Sequence, residues 1–160
     1  MSIEDIDKMS CNMSAIMVIF GGTGDLTHRK LMPALYNLVH DKLLPEHFSI
    51  VSIGRREKTV EQYRKEVYDS LNKHSRNKIE DDNWAVLRDL IHYIKFDFTH
   101  KDDYSRLKDS LGEIDRKAHT QGNRLFYLAV PPEYFETIVQ GLQTGGMSEC
   151  GNSWRRLVIE

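Results

Sequence analysis

Five short runs of apolar residues recur along the chain, and glycine, proline or polar residues separate them. The first of these runs is unbroken, which is typical of a strand that is buried on both faces of a sheet. The runs that predict strands are residues 15–20, 48–53, 91–98, 124–130 and 156–159.

Between these runs, apolar residues recur at helical spacing. The first helical segment is predicted to begin at Lys30 and to end near Leu43, and Pro33 is tolerated there if it lies in the first turn. Aromatic residues recur on the apolar faces of the later segments, so we expect them to pack against the sheet. These aromatic residues are Tyr63, Trp84, Tyr104 and Tyr134, and the segments are 60–71, 84–90, 104–114 and 134–142.

The alternation of strands and helices predicts an α/β fold, because neighbouring parallel strands need long connections. We expect a Rossmann-like, doubly wound and mainly parallel sheet with helices on both faces. The chain has 160 residues, about the length of one domain. The predicted organisation is a flexible leader over residues 1–13 followed by one domain over residues 14–160.

Charge is dense but balanced, with 22 basic and 24 acidic residues and a formal net charge of -2. This balance gives no field that favours nucleic acid or an acidic membrane surface, so a small soluble ligand is the expected partner. The first dozen residues are too acidic for a signal peptide, and no apolar run reaches the length of a membrane span. We therefore expect a cytoplasmic protein.

Cysteine and histidine usage predicts neither a disulfide nor a metal site. Cys11 and Cys150 are expected to be free thiols, which fits a reducing compartment. The seven histidines lack the paired spacing of a zinc site and any arrangement with a nucleophile. His28 adjoins a glycine-rich loop and is therefore a candidate cofactor contact, although histidines in loops are usually only solvated.

That loop begins at Gly21 and lies between the first predicted strand and the first predicted helix. Small residues there let backbone N–H groups approach a pyrophosphate at the positive end of a helix, which favours dinucleotide binding. The strict glycine pattern is incomplete because Thr27 stands where a third glycine or alanine is usual. The alternative is a tight turn with Asp25 capping the helix, which needs no ligand.

Two arginines, Arg55 and Arg56, follow the second predicted strand, where NAD sites place an acid that binds the ribose hydroxyls. A guanidinium group can instead bind a 2′-phosphate through two charge-assisted hydrogen bonds, which predicts NADP in preference to NAD. The alternative is a solvated surface pair in which Glu57 neutralises one of the arginines.

Longer motifs resemble the NADP-binding domain of the glucose-6-phosphate dehydrogenase family. The resemblance extends from residue 15 to residue 160 and is strongest in the segment that contains the glycine-rich loop. The motifs are Phe20-Gly-Gly-Thr-Gly-Asp-Leu-Thr-His-Arg-Lys-Leu-Met-Pro-Ala-Leu, Ile53-Gly-Arg-Arg, Asn123-Arg-Leu-Phe-Tyr-Leu-Ala-Val-Pro-Pro and Arg156-Leu-Val-Ile-Glu.

The resemblance implies roles for individual residues. Arg55 would bind the 2′-phosphate, and Lys30 would face the substrate and nicotinamide pocket. Val130 and Pro131 would lie along the nicotinamide half of the cofactor. The residues that would line the diphosphate are Gly21, Gly22, Thr23, Gly24, Asp25 and Leu26. Thr27 replaces the alanine that is usual in the family, and its hydroxyl could cap a backbone donor.

The family reaction is the oxidation of glucose 6-phosphate at C1, with hydride transfer to NADP and a histidine as general base. The resemblance implies that this histidine, the sugar-phosphate site and most of the sheet that forms the homo-oligomer lie in a further domain outside residues 1–160. We expect this chain to bind NADP without turning over substrate. Two alternatives remain open: a free-standing NADP-responsive module that would expose an apolar patch, and a Rossmann-like scaffold with an empty loop.

Overall fold

A computed structural model of the protein describes residues 13–149 and 151–160. The predicted free thiols Cys11 and Cys150 lie outside these residues, as does the predicted leader apart from Met13. The described chain forms one five-stranded sheet in the order β3-β2-β1-β4-β5, and all four strand pairs are parallel. The strands are β1 (Ala15–Phe20), β2 (Phe48–Gly54), β3 (Ile91–Lys95), β4 (Arg124–Leu128) and β5 (Arg155–Ile159).

Helices cover both faces of this sheet. The α-helices are α1 (Met32–His40), α2 (Val60–His74), α3 (Asp81–Leu90), α4 (Lys101–Ala118) and α5 (Phe135–Thr144). One core joins the first three helices to residues such as Met17 of β1, and the other joins α4 and α5 to residues such as Val18. The predicted Rossmann-like α/β fold is therefore confirmed.

The central strand β1 is buried along its whole length, as its unbroken apolar run predicts. Val18 at its middle lies opposite Val51 of β2 and Phe126 of β4, so it is covered on both sides within the sheet. Of the aromatic residues predicted to pack on the sheet, Tyr63 and Tyr104 are buried, while Trp84 and Tyr134 are partly buried.

Strand β3 ends earlier than its apolar run predicts. Asp97 accepts hydrogen bonds from the backbone N–H (2.9 Å) and the hydroxyl (2.7 Å) of Thr99, and these bonds fold the chain into a turn. The carboxylate of Asp103 in α4 also accepts from the Asp97 N–H at 2.7 Å. The Phe96 N–H still donates to the Gly54 carbonyl at 2.9 Å, and local side-chain hydrogen bonds replace strand pairing from Asp97 onwards.

The first helix begins earlier than predicted, because a π-helical turn over Thr27–Leu31 precedes α1, and it ends at His40 rather than near Leu43. In this wider turn the Met32 N–H donates to the Thr27 carbonyl, five residues back. The next donor in that pattern is Pro33, which has no N–H. Its acceptor, the His28 carbonyl, instead receives a hydrogen bond from the hydroxyl of Ser70 in α2 at 2.7 Å.

Neither a membrane-spanning helix nor a cluster of metal ligands occurs among the described residues. None of their helices is both long enough and apolar enough to cross a membrane. Within the same part of the chain, no three histidine, cysteine, aspartate or glutamate side chains are grouped so that they could hold a metal ion.

Candidate functional site: a cleft at the carboxyl edge of the sheet

The carboxyl ends of the parallel strands border a cleft of about 360 Å³. In open α/β sheets, ligands bind in the crevice at this edge, where connections leave the sheet towards opposite faces. The lining residues come from the last residues of β1 and β2 and from the segments that follow β1, β2, β3 and β4. They are Phe20, Gly21, Thr23, Gly24, Ile53, Gly54, Arg55, Phe96, Phe98, Ala129, Val130, Pro131 and Tyr134.

The glycine-rich loop after β1 is held by its own backbone and by β2. The Gly24 N–H donates to the Gly21 carbonyl at 3.0 Å, and the Gly22 N–H donates to the Ile53 carbonyl at 2.9 Å. The buried Thr27 hydroxyl also donates to the Gly21 carbonyl, at 2.9 Å. The expectation that this hydroxyl would cap a backbone donor is therefore wrong, because it binds an acceptor.

Two glycines of the loop are required by close contacts within the protein. Gly21 has a φ of +88°, and a Cβ there would lie 2.2 Å from the Ala129 carbonyl oxygen. A Cβ on Gly22 would lie 2.6 Å from the Cβ of Ser52. Since both requirements arise without a ligand, these glycines do not by themselves distinguish a cofactor loop from a tight turn.

Asp25 does not cap the helix that follows the loop, so this part of the tight-turn alternative is wrong. Its exposed carboxylate pairs with Arg29 at 3.0 Å on the same helical surface. No side chain caps the start of the π-helical turn at Leu26. Among the described residues, the Thr23 N–H also has no hydrogen-bond acceptor, so a donor remains available on a residue that lines the cleft.

Arg55 and Arg56 follow directly after β2, and both side chains are exposed. Glu57 pairs with Lys95 at 3.1 Å rather than with either arginine, so the proposed neutralisation by Glu57 is wrong. In the part of the chain that the structure describes, neither arginine forms a salt bridge. Arg55 lines the cleft and Arg56 does not.

A carboxylate lies near Arg55 at the same edge. Hydrogen bonds from the side chain and backbone of Thr99 hold the pKa of Asp97 below its usual range, and the positive charge of Arg55 contributes in the same direction. Asp97 is therefore ionised at neutral pH, and it offsets part of the positive charge that Arg55 brings to the cleft.

Aromatic side chains line the wall of the cleft, and the sequence did not identify them as site residues. The rings of Phe98 and Tyr134 lie 4.9 Å apart, and Phe96 is buried beside them. A short 3₁₀ turn over Pro132–Tyr134 brings Tyr134 to this edge. The available signal was that Phe96 and Phe98 lie at the carboxyl end of the apolar run 91–98, where a ligand edge is expected.

The structure brings together in one cleft six of the predicted site residues: Gly21, Thr23, Gly24, Arg55, Val130 and Pro131. The other five do not line the cleft: Gly22, Asp25, Leu26, Lys30 and Arg56. Gly22 is buried below the loop, whereas Lys30 is exposed on the π-helical turn.

His28 also lies outside the residues that line the cleft. Its ring is half-buried, with its centroid 6.0 Å from that of Tyr63, and its Nδ1 atom has no hydrogen-bond partner among the described residues. Burial lowers its pKa below the usual value for histidine. This environment behind the loop therefore stabilises the neutral form of the imidazole.

A second cavity of about 460 Å³ lies at the opposite, amino edge of the sheet. Three histidines line it, together with Lys117 and several carboxylates. The histidines are His47, His92 and His119. Because this cavity lies far from the glycine-rich loop, it provides a reference surface for experiments that locate a ligand.

Comparisons with known proteins agree with this geometry. A family model described as glucose-6-phosphate dehydrogenase, NAD binding domain, matches residues 18–160. The chain is 41% identical over 167 residues to glucose-6-phosphate 1-dehydrogenase of Chlamydia muridarum, covering 99% of this chain and 33% of the relative. It is 36% identical over 153 residues to the Bacillus subtilis protein of the same name, covering 96% of this chain and 30% of the relative.

Solved structures show the same fold. Glucose-6-phosphate 1-dehydrogenase from Mycobacterium avium superposes with a TM-score of 0.75 and 25% identity over 90% of this chain and 29% of that one. A glucose-6-phosphate dehydrogenase in complex with its substrate glucose-6-phosphate gives a TM-score of 0.79 and 24% identity over 91% of this chain and 30% of that one. The chain thus spans about a third of the length of the relatives it matches.

Proposed function

Because this chain belongs to the glucose-6-phosphate dehydrogenase family, whose NAD-binding domain it matches, we propose that its carboxyl-edge cleft binds NADP. The observation that carries the proposal is Arg55, an exposed arginine without a salt bridge among the described residues, which lines the cleft after β2. An acid at this point would bind the ribose hydroxyls of NAD. A guanidinium group suits the 2′-phosphate of NADP instead.

The other predicted site residues would contact different parts of the cofactor. The loop residues Gly21, Gly22, Thr23, Gly24, Asp25 and Leu26 would hold the diphosphate, to which the Thr23 N–H offers a hydrogen bond. Arg56 would add positive charge beside the 2′-phosphate. Val130 and Pro131 would lie along the nicotinamide half.

The activity proposed for the complete protein is the oxidation of glucose 6-phosphate to 6-phosphogluconolactone in the cytoplasm, with hydride transfer to NADP. This chain would supply the cofactor site, and Lys30 would approach the substrate. The general base and the contacts of a homo-oligomer would lie outside residues 1–160. We expect no turnover of glucose 6-phosphate by this chain alone.

Substituting Arg55 tests the proposed cofactor preference. In calorimetric titrations, Arg55→Ala is expected to weaken NADP binding about tenfold or more, through the loss of a charge-assisted pair, while NAD binding changes little. Arg88→Ala is the matched control, because Arg88 is exposed and lies in α3 rather than at the cleft. Equal affinities of the Arg55→Ala variant and the parent chain for NADP would refute the assignment.

A scaffold with an empty loop is the second candidate. It is favoured by the finding that contacts within the protein, with Ala129 and Ser52, already require glycine at positions 21 and 22 without any ligand. The scaffold predicts that neither dinucleotide binds at millimolar concentration. A free-standing NADP-responsive module would bind NADP with the same preference, but it would signal through a protein partner instead of supplying the cofactor site of a dehydrogenase.

A further inference from the structure

Two tyrosines behind the cleft form a stacked pair that joins the glycine-rich loop to the arginine turn. Tyr63 of α2 is fully buried, and its ring lies 4.9 Å from that of Tyr93 in β3, with 27° between the ring planes. The Tyr63 hydroxyl donates to the Gly22 carbonyl at 2.6 Å. The Tyr93 hydroxyl donates to the Arg56 carbonyl at 2.6 Å.

Both hydroxyl groups act as donors at physiological pH. Burial raises the pKa of Tyr63 well above its usual value, and burial also raises the pKa of Tyr93. A protonated phenol that donates to a backbone carbonyl fixes the orientation of the peptide group that carries this carbonyl. Each tyrosine therefore orients one peptide group at the carboxyl edge of the sheet.

The first of these peptide groups joins Gly22 to Thr23. In a trans peptide the C=O and N–H bonds point in opposite directions, and the described residues contain no cis peptide bond. Because the Gly22 carbonyl points to Tyr63 in the core of α1, α2 and α3, the Thr23 N–H points to the opposite face. Most of the apolar residues that line the cleft, including Phe20 and Val130, belong to the core on that opposite face.

The second peptide group lies in the turn that carries Arg55 and Arg56. Gly54 permits the close approach of the loop and Tyr93 at this turn. A Cβ on Gly54 would lie 3.0 Å from the Tyr93 hydroxyl and 3.1 Å from the Cγ2 of Thr23. Arg55 and Arg56 form no salt bridge among the described residues. The turn is held by the hydrogen bond from Tyr93 to the Arg56 carbonyl and by the exposed ion pair between Glu57 and Lys95.

We infer that Tyr63 and Tyr93 are positioning residues for the dinucleotide, and that they act on different parts of it. Tyr63 directs the Thr23 N–H towards the diphosphate. Tyr93 holds the arginine turn at the 2′-phosphate and so sets the preference for NADP over NAD. This inference rests on the proposed function, because it assumes that the cleft binds a dinucleotide.

The test removes each hydroxyl separately in the 160-residue chain and measures the dissociation constants of NADP and NAD by calorimetry. For Tyr93→Phe, we expect the preference for NADP to fall about fivefold through the loss of one hydrogen bond, with NAD binding unchanged. For Tyr63→Phe, we expect both dinucleotides to bind about fivefold more weakly, with their ratio unchanged.

Tyr36→Phe is the control for a purely structural effect. Tyr36 is as buried as Tyr63, and its hydroxyl also bonds to backbone, accepting from the Glu80 N–H at 2.8 Å. That contact lies away from the cleft, so the variant should lose thermal stability without changing either affinity. Circular dichroism establishes that all three variants are folded before they are titrated.

The outcomes separate this inference from the proposed function. If the parent chain prefers NADP and Tyr93→Phe retains that preference, the role of Tyr93 is refuted and the proposed function stands. If Tyr63→Phe binds both dinucleotides as the parent does, the role of Tyr63 is refuted. If the parent chain itself binds neither dinucleotide, the proposed function is refuted, and this inference with it.

Discussion

Gly21 has a left-handed backbone conformation and lies in close contact with the residue that follows β4. Substituting it therefore tests the geometry of the loop directly. Gly21→Ala is expected to destabilise the protein by about 3 kcal/mol, because the new Cβ adds backbone strain and meets the Ala129 carbonyl. Urea unfolding followed by circular dichroism measures this change.

Gly112 provides the matched control for that substitution. It lies within α4, and the nearest atom to a methyl group added there is the far end of Arg116, at 3.7 Å. Gly112→Ala is therefore expected to stabilise the protein by about 0.5–1 kcal/mol, as alanine does in helix interiors. Equal effects at the two glycines would contradict the description of the loop.

The lowered pKa values of two half-buried histidines predict how the free energy of unfolding depends on pH. Burial lowers the pKa of both His28 and His92, and the charges of Arg64 and Lys117 lower that of His92 further. As the pH falls below about 6.5, the unfolded chain therefore takes up protons that the folded chain does not. Stability should be fully present above this pH and should decrease from there down to the lowered pKa values.

Urea midpoints at pH 7.5, 6.5 and 5.5 measure this dependence. His92→Gln should make it shallower, because it removes one of the two histidines whose pKa is lowered in the folded protein. A midpoint that rises between pH 6.5 and 5.5 in the parent chain would show that the histidines are stabilised in their charged form.

At the level of the secondary-structure elements, the π-helical turn before α1 makes a specific prediction about Pro33 and Ser70. Ser70→Ala should cost about 1–2 kcal/mol, because the His28 carbonyl loses its hydrogen bond from the Ser70 hydroxyl. In a Pro33→Ala background the new N–H can donate to that carbonyl, so the same change should cost less. A double-mutant cycle of unfolding free energies measures this coupling, and strict additivity would contradict it.

The bounds of the elements show which features the sequence could predict. Apolar runs located β1 and β2 to within a residue, because strands that are buried on both faces are rich in apolar residues; the run is unbroken in β1, whereas β2 includes the buried Ser49 and Ser52. The π-helical turn was missed because the His28 carbonyl, which Pro33 cannot bond, receives its hydrogen bond from Ser70, 42 residues away in the sequence. The early end of β3 was missed because the side chain of Asp97 forms a turn there.

At the level of the whole molecule, the alternation of strands and helices predicted the sheet, and the parallel topology directed attention to the edge at which the cleft lies. It could not predict that Phe98 and Tyr134 meet there, since they reach the cleft from different connections. Nor could it predict the bond from Tyr63 to Gly22, which joins residues 41 positions apart. Contacts of this kind are determined by how the helices pack on the sheet, and local sequence patterns therefore do not predict them.

Binding of NADP at the carboxyl edge of the sheet is the central claim, and amide chemical shifts recorded during an NADP titration test it most directly. We expect shifts at Thr23, Gly24 and Val130, with the amides of His47 and His119 at the opposite edge unchanged. Shifts concentrated at His47 and His119, or no shifts at millimolar NADP, would contradict this claim.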